Sequence, residues 1–175
     1  VVPALVGGLT INFYCNNRYD YYKIDVDQDL DFILVVPDFE LKTNRLRKVL
    51  PEKIDYKTAV SNLGRVSLLT SAFINKDYQF LKTAMEDSMH QPYRKKLIRG
   101  FDEVLDAAYK NGAYGAALSG AGPTILAAAD KNLDAIAKSM IDVFKKNSIN
   151  AVSYTVKASN IDLYQELKEE NFLND

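Results

Sequence analysis

Three stretches of this chain carry residues whose types and spacing can do chemistry. The first is "SGAGPT", in which Ser119, Gly120, Ala121 and Gly122 precede Pro123 and Thr124. Its glycines remove Cβ atoms, permit positive φ, and can leave successive N–H groups pointing outward as an anion-binding nest. That suits phosphate, although a glycine pair between strands, taken alone, is more often a plain turn. The stretch lacks the lysine of a Walker loop. The second pairs Asn62 with Arg65, three apart on the otherwise apolar "AVSNLGRVSLL", so that both project from one helix face. Arg65 there either reaches solvent, pairs with a core carboxylate, or joins Asn62 in facing a polar substrate. The third, "HQPYRKKLIRGF", gathers His90, Arg94, Lys95, Lys96 and Arg99. A basic run is commonly a solvated face. Arg94 differs, because Pro92 and Tyr93 stiffen the chain before it and can hold its fork toward a carboxylate or phosphate. His90 reads as a helix C-terminal residue resting on the dipole.

Composition removes several other chemistries. Cys15 is the only cysteine and His90 the only histidine, so one chain assembles neither a disulfide nor a Cys/His zinc site, and no metal ligands are assigned. A formal charge of -1 gives no electrostatic reason to expect nucleic acid. No apolar run approaches the roughly 20 residues a membrane helix needs. With a hydrophobic fraction of 47%, the 175 residues can build a sizeable core, and a reducing, cytoplasmic setting is the expectation.

The elements that must position these residues alternate in type. "VVPALVGG" reads as the tail of a buried helix with a glycine stop, followed by the strand-like "LTINFY". "DFILVVP" has the β-branched run and closing proline of a buried strand. Leu41 to Leu50 reads as a short basic helix. Asp55 to Asn75 reads as a longer one, with Val60, Leu63, Val66, Leu69 and Phe73 at helical spacing. Tyr78 to Met89 reads as another, closed by Pro92, and Phe101 to Asn111 as a helix stopped at Gly112. "AYGAALSG" and "TILAAAD" are strand candidates flanking the glycine loop. Leu133 to Asn147 is amphipathic, with Ile136, Met140, Val143 and Phe144 inward, and "AVSYTVKA" is a last strand. This order predicts an α+β fold, a two-layer sandwich of ferredoxin-like type. The acidic "ELKEENFLND" reads as a surface helix or frayed tail.

Taken together, "VVPALVGG", "SNLGR", "HQPYRKKLIRGF" and "GAALSGAGPT", in this order, resemble the GHMP kinases, and "HQPYR" with the following "LI" and "GF" resembles their homoserine branch. "SGAGPT" is similar to the third motif of that superfamily. The likeness runs to about Ala158. The family's Gly-Leu-Gly-Ser-Ser-Ala phosphate loop is not among these residues. The resemblance therefore implies a carboxy-terminal half, with residues 1–27 a remnant of the amino-terminal domain and 28–175 the GHMP C-terminal domain with its tail.

The resemblance also implies a function: transfer of the ATP γ-phosphate to the hydroxyl of L-homoserine, with Mg²⁺ assisting. ATP and Mg²⁺ would be held mainly by the protein's own N-terminal domain, so this half would be inactive alone. Asn62, Arg65 and Arg94 would bind the amino acid. Ser119, Gly120, Ala121 and Gly122 would support the phosphate loop from an exposed turn, and no catalytic residue is assigned here. Arg99 replaces the family's usual proline, so the turn before Phe101 is expected to differ. Two alternatives stand beside this: a GHMP kinase for mevalonate-type or diphosphocytidyl substrates, and a non-enzymatic ferredoxin-like module that binds an amino acid. "DFILVVP" and the tyrosines of "YDYY" are candidate surfaces for a homodimer.

Overall fold

The computed structural model describes residues 2–41 and 43–163; the acidic tail expectation lies outside them. The described residues divide into two compact units, residues 2–30 with 157–163, and residues 31–156.

In the first unit, helix α1 (Val2–Val6) ends at Gly7 and Gly8, both at positive φ, as the glycine stop predicts. Strands β1 (Leu9–Cys15) and β2 (Arg18–Ile24) then form an antiparallel hairpin. β2 was not foreseen. Its signal is the Asn16-Asn17 pair, with φ of 51° and 60°, because asparagine tolerates the left-handed region that a two-residue hairpin turn requires. Asn160 closes this unit on itself: its side chain accepts from the Val26 N–H at 2.8 Å and donates to the Val26 carbonyl at 2.7 Å.

The second unit contains the sheet core and every candidate site residue. Its elements run β3 (Asp31–Pro37), α2 (Thr43–Lys48), α3 (Tyr56–Asn75), a short 3₁₀ turn (Tyr78–Phe80), α4 (Leu81–Ala84) and α5 (Gln91–Arg94). A second 3₁₀ turn (Lys95–Leu97), α6 (Phe101–Lys110), β4 (Gly115–Leu118), β5 (Ile125–Ala129), α7 (Leu133–Lys146) and β6 (Ala151–Lys157) complete it. The four strands lie in the order β4-β5-β3-β6. With α6 and α7 as the crossovers, this is the ferredoxin-like βαββαβ arrangement, with α2 to α5 inserted before α6. β5 pairs antiparallel with both β3 and β4. β3 therefore lies inside the sheet, and "DFILVVP" offers no free strand edge for a second copy.

One face of the sheet carries the core. Ile33 and Val35 of β3 stand opposite Ala127 and Ile125 of β5, and all four are buried against Val104 and Ala108 of α6 and Ile136, Met140 and Phe144 of α7. Period 2 in the strands meets period 3.6 in the helices, and the helical spacing is why Ile136, Met140 and Phe144 were readable beforehand. Both helices carry acids in the first turn and lysine in the last, complementing the peptide dipole.

Two expectations change. The stripe on α3 does not face a core along its length: Val60, Leu63 and Val66 are 49%, 67% and 52% exposed, and Ala72 is the buried residue of the helix. α3 packs on α4 and the Tyr78–Phe80 turn. Asp55 still starts it, accepting from Thr58 N–H at 2.9 Å. The helix predicted over residues 78–89 stops at Ala84 instead. Pro92 does not close that helix but sits in the first turn of α5, where its missing N–H costs nothing.

Close approach of α4 to β4 depends on Gly115. A Cβ there would lie 2.3 Å from Met85 Sδ and 3.0 Å from Leu81 Cβ. Gly115→Ala is expected to destabilise the protein by about 1–3 kcal/mol, read as a lower urea midpoint at unchanged slope.

Candidate functional site

Residues 85–91 connect α4 to α5 as a tight strap, and Asp87 is what turns it. Its carboxylate accepts from the backbone N–H groups of Met89 (2.9 Å), His90 (2.7 Å) and Gln91 (2.5 Å). Burial works to raise its pKa, but these three N–H groups and the nearby His90 together bring it below the ordinary 3.8. His90 is thus not at a helix C-terminus; it immediately precedes α5, with Nδ1 3.6 Å from Asp87 Oδ1.

The turn delivers Glu86 and Ser88 to α3. Asn62 Oδ1 accepts from the Ser88 N–H at 3.0 Å, and Arg65 Nη1 donates to Ser88 Oγ at 2.5 Å. Arg65 Nη2 also pairs with Glu86 at 3.2 Å. Asn62 and Arg65 therefore do share a face, and their nearest partners are on the strap rather than in the core. Beyond the strap, Arg94 Nη1 donates to the carbonyl of Gly120 at 3.2 Å, while its buried Nε has no hydrogen-bond partner among the described residues. Three segments far apart in sequence thus meet around one cavity of about 590 Å³, lined by Asn62, Arg65, His90, Gln91, Arg94 and Gly120 among others.

The glycine loop is tighter than an exposed turn. Ser119 N–H donates to Thr124 C=O at 2.9 Å and Gly122 N–H to Ser119 C=O at 3.0 Å, around a cis Gly122-Pro123 bond. Gly120 and Gly122 have φ of 58° and 86°, the conformation for which glycine suits these places. Only Gly120 is exposed; Ser119, Ala121 and Gly122 are half-buried. Ser119 and Gly122 spend their N–H groups within the loop, so a nest would draw on Gly120 and Ala121.

Behind the strap lies a second hollow of about 420 Å³, which Arg65 also lines. Tyr109 crosses its floor, donating to and accepting from the Ala116 backbone at 3.2 Å each way. Burial chiefly raises its pKa. Arg99 is elsewhere, exposed in a hollow with Asp38 and Asn147. Glu86, Asp87, Ser88 and Gln91 were missed as site residues; an aspartate shortly before a proline-started helix is the one signal that pointed to them.

Residues 69–146 match the family model described as GHMP kinases C terminal. This stretch is similar to the C-terminal domain of the GHMP kinases. The chain is 48% identical over 151 residues to a homoserine kinase of Halothermothrix orenii, covering 86% of the chain and 49% of that protein. It is 44% identical to a homoserine kinase of Persephonella marina, covering 86% of the chain and 50% of the relative. The solved homoserine kinase of Cytophaga hutchinsonii superimposes with a TM-score of 0.84 at 29% identity, covering 90% of the chain and 50% of that structure. The chain thus spans about half the length of the curated relatives it matches.

Asp87→Ala removes the acceptor of three N–H groups and is expected to cost about 1–2 kcal/mol at neutral pH. Because the folded state holds this carboxylate below its ordinary pKa, that stability is present above the ordinary value of 3.8 and lost as pH falls through the folded one. Urea unfolding of both proteins across the acid range should therefore show their stabilities converging downward in pH.

Proposed function

We propose that this chain is the carboxy-terminal part of a homoserine kinase, transferring the γ-phosphate of ATP to the hydroxyl of L-homoserine to give O-phospho-L-homoserine on the way to threonine, in the cytoplasm. The observation that carries this is the 48% identity to a homoserine kinase across 86% of the chain. The cavity supports it, because it gathers two guanidinium groups and two carboxamides beside a glycine loop.

In this reading Arg65 and Arg94 offer charge-assisted donors to the carboxylate of homoserine, with Asn62 beside them. A guanidinium has five N–H donors, of which the bonds to Ser88 and Glu86 use two on Arg65 and the bond to Gly120 one on Arg94. Ser119 to Gly122 form a wall beside the reacting phosphates. The homoserine oxygen forms the new bond to the γ-phosphorus as the bond to the ADP oxygen breaks, and the hydroxyl proton passes to solvent. Asp87 is no general base, since its oxygens already accept three backbone N–H groups. Positioning and charge neutralisation are what such a reaction asks of the protein.

Among the described residues no three His, Cys, Asp or Glu side chains group to hold a metal ion by themselves. ATP and Mg²⁺ would instead be held mainly by an amino-terminal domain, in the half of the relatives that this chain does not span. Residues 1–27 would belong to that domain and 28–175 to the C-terminal one, and this half would be inactive alone. Any homodimer would be built without the edges of β3, which its neighbours occupy.

In the full-length protein, homoserine should elicit ADP release from ATP, and mevalonate should not. Arg94→Ala should lower kcat/KM for homoserine by about 10- to 100-fold, the loss of a hydrogen bond to a charged group. Unchanged turnover in that variant would remove Arg94 from the site, and activity on mevalonate alone would replace the substrate.

A further inference from the structure

We propose that Gln91 is a positioning residue that sets the spacing between the amino-acid side and the phosphate side of the cleft, an inference that rests on the kinase reading above. Its carboxamide is used at both ends. Nε2 donates to the Met85 carbonyl at 3.1 Å, and Oε1 accepts from the Leu118 N–H at 2.9 Å. Met85 opens the strap that grips Asn62 and Arg65 through Ser88 and Glu86. Leu118 is the last residue of β4, directly before Ser119 of the glycine loop.

Gln91 is itself fixed, since its backbone N–H donates to Asp87 Oδ2. Three residues on, at the end of the same short helix, Arg94 reaches the Gly120 carbonyl. One side chain therefore braces α3's partners against the loop's entry, and one helix carries both the brace and the arginine. A carboxamide meets both demands with two separate atoms: the carbonyl of Met85 needs a donor and the N–H of Leu118 an acceptor. Gln91 touches neither transferred phosphate nor homoserine in this assignment; it acts through the groups it spaces.

Phosphoryl transfer is sensitive to such spacing, where a misplacement of about 1 Å can cost on the order of 10²-fold in rate. In the full-length enzyme, Gln91→Leu should lower kcat by about 10- to 100-fold while KM for homoserine and for ATP each stay within about threefold. Gln91→Glu keeps the acceptor for Leu118 but turns an unprotonated oxygen toward the Met85 carbonyl. Its kcat relative to wild type should therefore rise as pH falls into the carboxyl range and the group can donate again.

A merely structural glutamine would lower Tm and leave kcat alone at temperatures where the variants stay folded. Circular dichroism and Tm, taken beside the kinetics, separate the two. The brace is overturned by kcat within about twofold of wild type in folded variants, or by a raised KM for homoserine with kcat intact. Failure of both variants to fold would overturn it as well, in favour of a structural role. A wild-type protein that does not phosphorylate homoserine sinks the kinase reading and the kinetic role of Gln91 with it; an active wild type with unaffected variants sinks the brace alone.

Discussion

The turn at Asp87 is the constraint from which the candidate site follows. Three successive N–H donors converge on one carboxylate, which stops the chain continuing as the helix that residues 78–89 otherwise favour. Without that stop, Ser88 would not face α3, and Pro92 would fall inside a helix instead of in the first turn of α5. With it, the strap and α5 point in different directions: Ser88 toward Asn62 and Arg65, Arg94 toward Gly120. The roughly 1–2 kcal/mol that this partly exposed acceptor contributes is enough to outweigh the modest propensity of a few helix residues.

The contacts around Arg65 are unequal. Its pair with Glu86 is partly open to water, with the glutamate side chain 57% exposed, and such a pair contributes about 0–1 kcal/mol. Arg65 itself is only 24% exposed, so its short bond to Ser88 and the bond from Ser88 N–H to Asn62 carry more of the attachment. This leaves the Glu86 bond the cheapest to exchange. An incoming carboxylate could replace Glu86 on Nη2 while Ser88 keeps the guanidinium in place. That ordering of strengths is what a binding arginine needs, since a guanidinium locked into a fully buried pair would resist any ligand.

The core was legible and the strap was not, for one physical reason. Ile136, Met140 and Phe144 declare themselves by period, because burial against a sheet selects every third to fourth residue of a helix, and "DFILVVP" declares itself by its continuous β-branched run. Residues 85–91 have no period; their conformation comes from one side chain satisfying several backbone donors, which a pattern of hydrophobicity does not register. Asn62, Arg65 and Arg94 could be named from residue type and neighbours, yet their partners Ser88 and Gly120 could not, since both contacts join segments more than twenty residues apart. The α3 stripe misled in the opposite sense. Val60, Leu63 and Val66 have helical spacing and form a helix, but periodicity reports an apolar face and not what lies against it.

The glycine loop is where both kinds of information meet. β4 opens on Gly115, whose missing side chain lets Met85 and Leu81 come close, and the Gln91 carboxamide spans from the strap to Leu118. The loop that follows then offers a carbonyl, at Gly120, to Arg94. A carbonyl bound to a guanidinium cannot repel an approaching anion as strongly as a bare one, because the cation beside it offsets the oxygen's partial charge. Arg94 therefore has two consequences at once, holding the loop in shape and making its surface less hostile to negative charge. The same glycine that permits the turn also supplies the atom that fixes it to α5.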